Sequence, residues 1–260
     1  VLIGTIYPIF TEVLYNNKIS VGPPFYNIVI APIVVPFLIL MALAPQARWI
    51  KNSFEKPYKV IKIIFLATAL NFFIYYFFKS YSVMSNLIII SSIFLIIYSV
   101  IDLIKYKELF NLPIVISHLG FGLLIFFIGI NHNFSLESDF NLKVGEEKNV
   151  DNYSIYFNKL ELEERENHKA IKGHFDIVNL KNSKKEKLTP EIRIYNQPET
   201  LTYEASIKTS LSHDTYLTMS NINRSDFYNM KFQKKPFMLW IWLSATMIAF
   251  GGLVRIFKNE

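Results

Sequence analysis

The 260-residue sequence contains no cysteine, only five arginines and few charges of either sign. Without cysteine the chain can form no disulfide, offers no thiolate ligand to zinc or an iron–sulfur cluster, and has no cysteine nucleophile. Charged residues make up 18% of the chain, hydrophobic residues make up 52%, and the mean hydropathy is +0.27. Because this composition is too apolar for an ordinary soluble globule, it indicates an integral membrane protein.

Long apolar runs dominate both ends of the chain. Five of them are long enough to cross about 30 Å of hydrocarbon, which takes roughly 20 residues. These runs are 27–44, 60–78, 87–104, 113–130 and 236–257, and residues 1–14 could form the end of a sixth. The chain starts inside an apolar run and without Met, so we expect it to be the later part of a longer polypeptide, either a fragment or a split gene product.

The basic residues predict the orientation in the membrane. Residues 131–235 carry 16 basic and 16 acidic side chains, so the excess charge of +6 lies in the apolar remainder. Of the 11 basic residues outside 131–235, nine fall on one side of the membrane if the spans alternate, and only Lys18 and Lys79 fall on the other. Since Lys and Arg favour the inner side, we expect residues 131–235 on the outer side. That side is the bacterial periplasm or the mitochondrial intermembrane space.

The segment between the fourth and fifth spans has the two-residue period of half-buried β-strands. Apolar residues alternate with polar ones at 153, 155 and 157, at 192 and 194, and at 203, 205 and 207. Turn signals stand at 144–146, 151–152, 182–183, 197–198 and 221–223. The sequence therefore predicts a polytopic helical membrane protein with five to six spans and an inserted antiparallel β domain. Its predicted parts are a membrane bundle at 1–130, the external β domain at 131–235 and a C-terminal transmembrane helix at 236–260.

His118 is the candidate ligand inside the membrane. It lies six residues into the fourth span, where an ionisable side chain is a functional hypothesis by default. Gly122, Ile125 and Gly129 share its helical face and leave a groove. The groove could receive a haem with His118 as an axial ligand, or it could be an ordinary helix contact through small residues. The residue pattern alone leaves both readings open.

The remaining histidines are poor second ligands for a haem held by His118. His132 is 14 residues further along the same helix, about 21 Å away at 1.5 Å per residue. His168, His174 and His213 belong to the outer segment without metal-site spacing, so we expect surface or strand-face residues there. A second axial ligand is therefore expected from outside this chain, from an N-terminal portion.

Two other polar features have structural interpretations. Asn71, inside the second span, is expected to hydrogen-bond to a neighbouring helix or to water. The lysine-rich run at 181–187 lacks interleaved aromatic residues, so it indicates a solvated hairpin turn and no nucleic-acid partner.

Several stretches together resemble the C-terminal part of CcmF, the large haem lyase subunit of the system I pathway of cytochrome c maturation. They are GTIYP at 4–8, ISVGPPFYN at 19–27, ISHLG at 116–120, PEIRIY at 190–195, KPFMLWIWL at 235–243 and GGL at 251–253. The motifs occur in the family's order from the first residues to the last span, and this shared order makes the resemblance specific.

The resemblance implies that the chain takes part in attaching haem covalently to apocytochrome c. It also implies a CcmE-type haem chaperone, a CcmH-type thiol-handling subunit, a lipid bilayer and a membrane-held haem b. The histidine of the family's His-hydrophobic-Gly motif matches His118, which favours His118 as an axial ligand of the haem iron. Gly122 and Gly129 would then line the haem groove.

The chain also departs from the family. Nothing in it matches the family's tryptophan-rich haem segment, so the catalytic residues are expected in an N-terminal portion and this chain is expected to be inactive alone. His213 stands where relatives tend to have arginine, so the resemblance gives it no role. The alternatives are a b-type electron-transfer subunit and a non-catalytic assembly module in which His118 only packs.

Overall fold

The computed structural model describes residues 2–16, 22–46, 57–78, 82–105, 112–221 and 226–257. The chain divides into two compact units, one helical (residues 1–133 and 240–260) and one built of β-strands (residues 134–239). Most of the basic 46–59 loop, and residues 222 and 223 of a predicted turn, lie outside the described residues.

The helical unit confirms a polytopic membrane architecture. Its α-helices are α1 (Leu2–Tyr15), α2 (Pro23–Leu43), α3 (Pro57–Phe78), α4 (Val83–Lys105), α5 (Leu112–Phe134) and α6 (Met238–Phe257), and a 3-10 turn (Ala44–Gln46) follows α2. The last four helices each contain an apolar stretch of 19 to 23 residues that is long enough to cross a membrane. A shorter apolar stretch lies in α2 at Ile28–Leu43, and this helix continues through Pro32 and Pro36.

Helix α4 is the centre of this unit. It packs against α2 and α3, and its Ile89, Leu95 and Tyr98 are almost fully buried. The α3–α4 contact includes a hydrogen bond of 2.9 Å from Asn71 Nδ2 to Asn86 Oδ1, which confirms the predicted helix-to-helix bond of Asn71. Apolar side chains on the outer faces of α3 and α6 remain exposed, as expected where lipid is the solvent.

The β unit is an antiparallel sandwich. Its strands are β1 (Leu136–Leu142), β2 (Glu147–Val150), β3 (Tyr153–Glu164), β4 (His168–Asn179), β5 (Lys185–Leu188), β6 (Glu191–Asn196), β7 (Glu199–Glu204), β8 (Ser206–Thr209), β9 (His213–Asn221) and β10 (Tyr228–Pro236). One sheet has the order β1-β10-β9-β8, and the other has the order β2-β3-β4-β6-β7 with β5 paired to β4. The predicted antiparallel β domain is therefore confirmed.

The sandwich core consists of the inward-facing residues of both sheets. Phe157 and Phe175 stack with ring centroids 4.2 Å apart, and Leu217, Met219 and Phe232 face them from the other sheet. Gly173 lies where a Cβ would come within 2.6 Å of Phe175 Cε2 and 2.9 Å of Met219 Sδ. The two sheets can therefore approach closely at this position.

One strand prediction needs correction. The alternation of Tyr203, Ala205 and Ile207 predicts a single strand, but the strand is interrupted at Ala205. β7 continues the sheet with β6, whereas β8 pairs with β9 in the other sheet. A strand that changes sheets keeps its local alternation, so the pattern does not reveal the change.

Candidate functional site

Helix α5 carries the candidate ligand His118. The helix begins at Leu112. Pro113 is tolerated in its first turn, because the N–H that proline lacks would make no intrahelical hydrogen bond there. The residues from 114 to 117 are apolar or small. The side chain of His118 is half-buried. Its ring has no hydrogen-bond partner in the described part of the chain, so both imidazole nitrogens remain available for another interaction.

The glycines on the His118 face form a helix contact. A Cβ at Gly122 would lie 3.0 Å from Ile96 Cγ1 and 3.4 Å from Leu95 Cγ, and a Cβ at Gly129 would lie 3.2 Å from Ile89 Cγ1. All three neighbours belong to α4. The groove predicted along this face is therefore filled by α4 side chains at Gly122 and narrowed by α4 at Gly129, as in membrane-helix packing through small residues.

A largely apolar cavity lies further along the same face. It has a volume of about 250 Å³ and lies between α2, α4 and α5, and its lining includes Ile125, Gly129 and His132 of α5. His132, near the end of α5, is exposed. Gly129 thus borders both the α4 contact and this cavity, while His118 is not among the residues that line it.

Helix α6 packs against another face of α5. Ser117 Oγ donates a hydrogen bond of 3.4 Å to the Ile248 carbonyl, and a Cβ at Gly120 would lie 3.1 Å from the Ser244 carbonyl oxygen. A Cβ at Gly251 would lie 2.3 Å from Ser117 Oγ and 2.8 Å from the Pro113 carbonyl oxygen. Glycines therefore set the distance between α6 and the His118-bearing segment of α5.

The helical unit can supply one axial ligand to a haem iron. A half-buried imidazole without a protein partner, on an apolar helix, has the chemistry of such a ligand. His132 lies on the same helix about 21 Å away, so these two histidines cannot share one iron. Among the described residues, no group of three or more His, Cys, Asp or Glu side chains is placed so that it could hold a metal ion. The imidazole of His118 fits the role of one ligand to a haem iron, but α4 side chains occupy the groove predicted at Gly122, so the glycine groove itself does not hold a haem at that position.

The three histidines of the β unit each have a local partner. His168 is buried, its Nδ1 lies 2.6 Å from Asn167 Oδ1, and its ring packs on Tyr195. His174 Nε2 lies 2.9 Å from Glu161 Oε2 on the exposed sheet face. His213 is half-buried. His174 and His213 are half-buried residues of β-strands, in agreement with the expected strand-face positions, whereas His168 is buried inside the domain.

Comparisons with known proteins agree over the whole chain. Residues 133–236 match the family model described as the CcmF C-terminal beta-sandwich. The chain is 26% identical over 276 residues to the cytochrome c-type biogenesis protein CcmF of Haemophilus influenzae, with all of this chain and 42% of the relative aligned. It is 27% identical over 266 residues to CcmF of Escherichia coli, with 99% of this chain and 41% of the relative aligned. The chain thus spans about two fifths of the length of these relatives.

A solved structure has the same fold. The protein titled "Cytochrome c Heme Lyase CcmF" superposes with a TM-score of 0.73 at 17% identity, covering 98% of this chain and 42% of that chain. At this identity the likeness shows the fold alone.

Proposed function

Because this chain resembles the C-terminal part of CcmF over its whole length, we propose that it is the C-terminal part of a haem lyase that attaches haem to apocytochrome c. The observation that carries the proposal is the agreement of sequence and fold across both units. A shared β-sandwich alone would support only a common domain. In the reaction, each thiol of a Cys-x-x-Cys-His motif adds across a haem vinyl group, forming one C–S bond and one C–H bond.

His118 is the residue we assign to haem b. Its imidazole would ligate the haem iron, together with a histidine from outside this chain. The bound haem would supply one-electron chemistry within the membrane. The α4 contact at Gly122 and the α6 contact at Gly251 would keep α5, and with it the His118 ring, in a fixed position.

The proposed location is the bacterial inner membrane, with the β unit in the periplasm. The Lys and Arg bias supports this orientation, and the relatives reported above are bacterial. Haem would arrive from a CcmE-type chaperone, and a CcmH-type subunit would present the apocytochrome thiols. The catalytic tryptophan-rich segment would come from the N-terminal portion, so this chain expressed alone should mature no cytochrome c.

The test is His118→Ala in the complete protein, with His132→Ala as the matched control on the same helix. His118→Ala should lose the b-type absorbance spectrum and most cytochrome c maturation, because alanine cannot ligate iron. His132→Ala should retain both. Membrane abundance should stay normal in both variants, since alanine is easier to place in lipid than histidine. A normal b-type spectrum in His118→Ala would refute the ligand assignment. Loss of that spectrum with normal cytochrome c maturation would refute a role of His118 in the lyase reaction.

A further inference from the structure

A second cavity, here called the polar cavity, lies inside the β unit. It has a volume of about 140 Å³ and is formed where the β4–β5 turn meets the β8–β9 turn. Its lining residues are Tyr153, Ile177, Asn179, Asn182, Lys184, Glu186, Ser210, Ser212 and His213. Sites for whole small molecules usually measure roughly 300–1,000 Å³. The polar cavity is therefore the right size for a single polar group.

Tyr153 provides an unsatisfied hydrogen-bonding group in the polar cavity. Its side chain is 3% exposed, and its buried hydroxyl has no hydrogen-bond partner among the described residues. Buried polar groups are rarely left in this state, because an unmade hydrogen bond retains the full cost of desolvation. A hydroxyl of this kind at a cavity wall is available to donate a hydrogen bond to a group that enters the cavity.

His213 is oriented by its neighbours in the polar cavity. Ser212 Oγ lies 2.8 Å from the ring Nδ1, and Ser210 Oγ bonds to the His213 carbonyl. Burial and then the charge of Lys234 hold the pKa of His213 below its usual value, which favours the neutral ring. When Ser212 donates to Nδ1, the ring hydrogen is on Nε2, where it can be donated to an acceptor in the cavity.

The charges around the polar cavity favour an anion. The run at 181–187 contains four lysines and one glutamate. That glutamate, Glu186, is paired to Lys184 at 2.8 Å, and its side chain is 10% exposed. Lys234 lies over the Tyr153 ring, 5.4 Å from the centroid. Lys184 neutralises Glu186, and Lys234 stands against Asp214, the other carboxylate that acts on the His213 ring. The positive excess is therefore that of Lys181, Lys185 and Lys187 in the run that borders the cavity.

We propose that the polar cavity binds a carboxylate group that an acidic peptide segment of a partner protein presents. The carboxylate accepts hydrogen bonds from the Tyr153 hydroxyl and from His213, beside Lys184 and Lys234. The small volume of the cavity selects a single side-chain or terminal carboxylate. The basic 181–187 turn attracts the acidic residues that flank this carboxylate in the peptide. This assignment rests on the β unit alone and does not depend on the proposed haem chemistry.

Binding should depend on pH through His213. The charged groups that act on its ring are Lys234 of β10, Lys184 of the β4–β5 turn, Glu186 of β5, and the adjacent Asp214. A bound carboxylate adds a negative charge, so it favours the protonated imidazole and raises the pKa. Affinity should therefore increase between pH 8 and pH 6, until the peptide carboxylates themselves begin to protonate.

The experiment uses the full chain in detergent micelles with ¹³C-labelled histidine, and the His213 signal is assigned with the variant His213→Gln. The probes are sodium acetate, a short peptide rich in Glu and Asp, and the same peptide with Gln and Asn in their place. Acetate and the acidic peptide should shift the His213 signal and raise its pKa, and the amide peptide should do neither. The acidic peptide should bind more tightly than acetate because the lysine turn adds attraction.

Variants locate the site. Tyr153→Phe and His213→Gln should each weaken binding of the acidic peptide by about tenfold, the usual effect of removing one hydrogen bond to a charged group. Tyr156→Phe on the exposed face of β3 and His174→Gln are the matched controls and should bind as wild type. Tyr153→Phe without ligand should melt no lower than wild type, because it removes only an unpartnered hydroxyl.

Four results would overturn the proposal. An unchanged His213 signal with acetate and peptide would exclude a carboxylate from the polar cavity. If Tyr153→Phe bound the acidic peptide as tightly as wild type, the polar cavity would not be the binding site. If chloride displaced the peptide as well as acetate does at the same ionic strength, the peptide would be held by surface charge alone. If acetate bound but the acidic peptide did not, the polar cavity would not be a site for a partner protein.

Discussion

Replacing Gly251 by alanine tests the close approach of α5 and α6, which fixes the helix that carries His118. A Cβ at Gly251 would lie 2.3 Å from Ser117 Oγ, 2.8 Å from the Pro113 carbonyl oxygen and 2.9 Å from the Ser117 nitrogen. The hydroxyl of Ser117 can rotate away. The two backbone atoms cannot, because both belong to the first turns of α5.

The expected cost follows from these distances. Moving the Pro113 oxygen from 2.8 Å to the 3.4 Å of an ordinary contact requires the helices to separate by about 0.6 Å. Overpacking of this size typically costs about 1–3 kcal/mol, or roughly 5- to 150-fold in the ratio of folded to unfolded protein. Gly252→Ala is the matched control, because a Cβ there meets nothing within 4 Å. It should cost no stability.

The assay is reversible unfolding of the full chain in mixed detergent micelles, followed by circular dichroism. Adding Ser117→Ala to Gly251→Ala removes the 2.3 Å contact but leaves both backbone contacts, so it should recover only part of the loss. If Gly251→Ala and Gly252→Ala unfold alike within about 0.5 kcal/mol, the close α5–α6 contact is wrong. Full recovery in the double variant would place the clash in the Ser117 hydroxyl alone.

Three further predictions concern the β unit and its placement. Protease added to the outer face of the membrane should cleave near 184–187 and spare the 46–59 loop, and cleavage of the loop instead would invert the topology. Phe157→Ala should destabilise the β unit by about 3–5 kcal/mol in thermal unfolding, because its buried ring stacks in the core. Tyr156→Ala, on the opposite face of β3, should cost less than about 1 kcal/mol. Similar losses in the two variants would contradict the assignment of these residues to the inner and outer faces of the strand. Since burial and a nearby lysine lower the pKa of His213, protonation opposes folding, so stability should be full above pH 6.5 and decline as the pH falls below it. His213→Gln should flatten this part of the stability–pH curve, and an unchanged curve would show that His213 is not shielded in the fold.

The sequence alone determined the elements that depend on local pattern. Uninterrupted apolar runs specify membrane helices because lipid requires the backbone to satisfy its own hydrogen bonds. The alternation at 153, 155 and 157 specifies β3 for an equally local reason, since successive strand residues face opposite sides. Turns were found where local chemistry requires them, as at Gly145 with its φ of +87° and at the turn of Gln197 and Pro198. His118 was selected as the candidate ligand because an ionisable residue stands out within an apolar run.

Only the tertiary structure decided which faces meet. Every span is apolar, so nothing in the sequence distinguishes α4 as the central helix or shows that its Ile96 covers Gly122. The break at Ala205 sends β7 and β8 to different sheets, although the alternation continues through it. Tyr153 and His213 lie 60 residues apart and line one cavity only because two turns close the same part of the sandwich. Hydropathy and alternation are properties of neighbouring residues, whereas these contacts depend on long-range packing, which a local pattern does not encode.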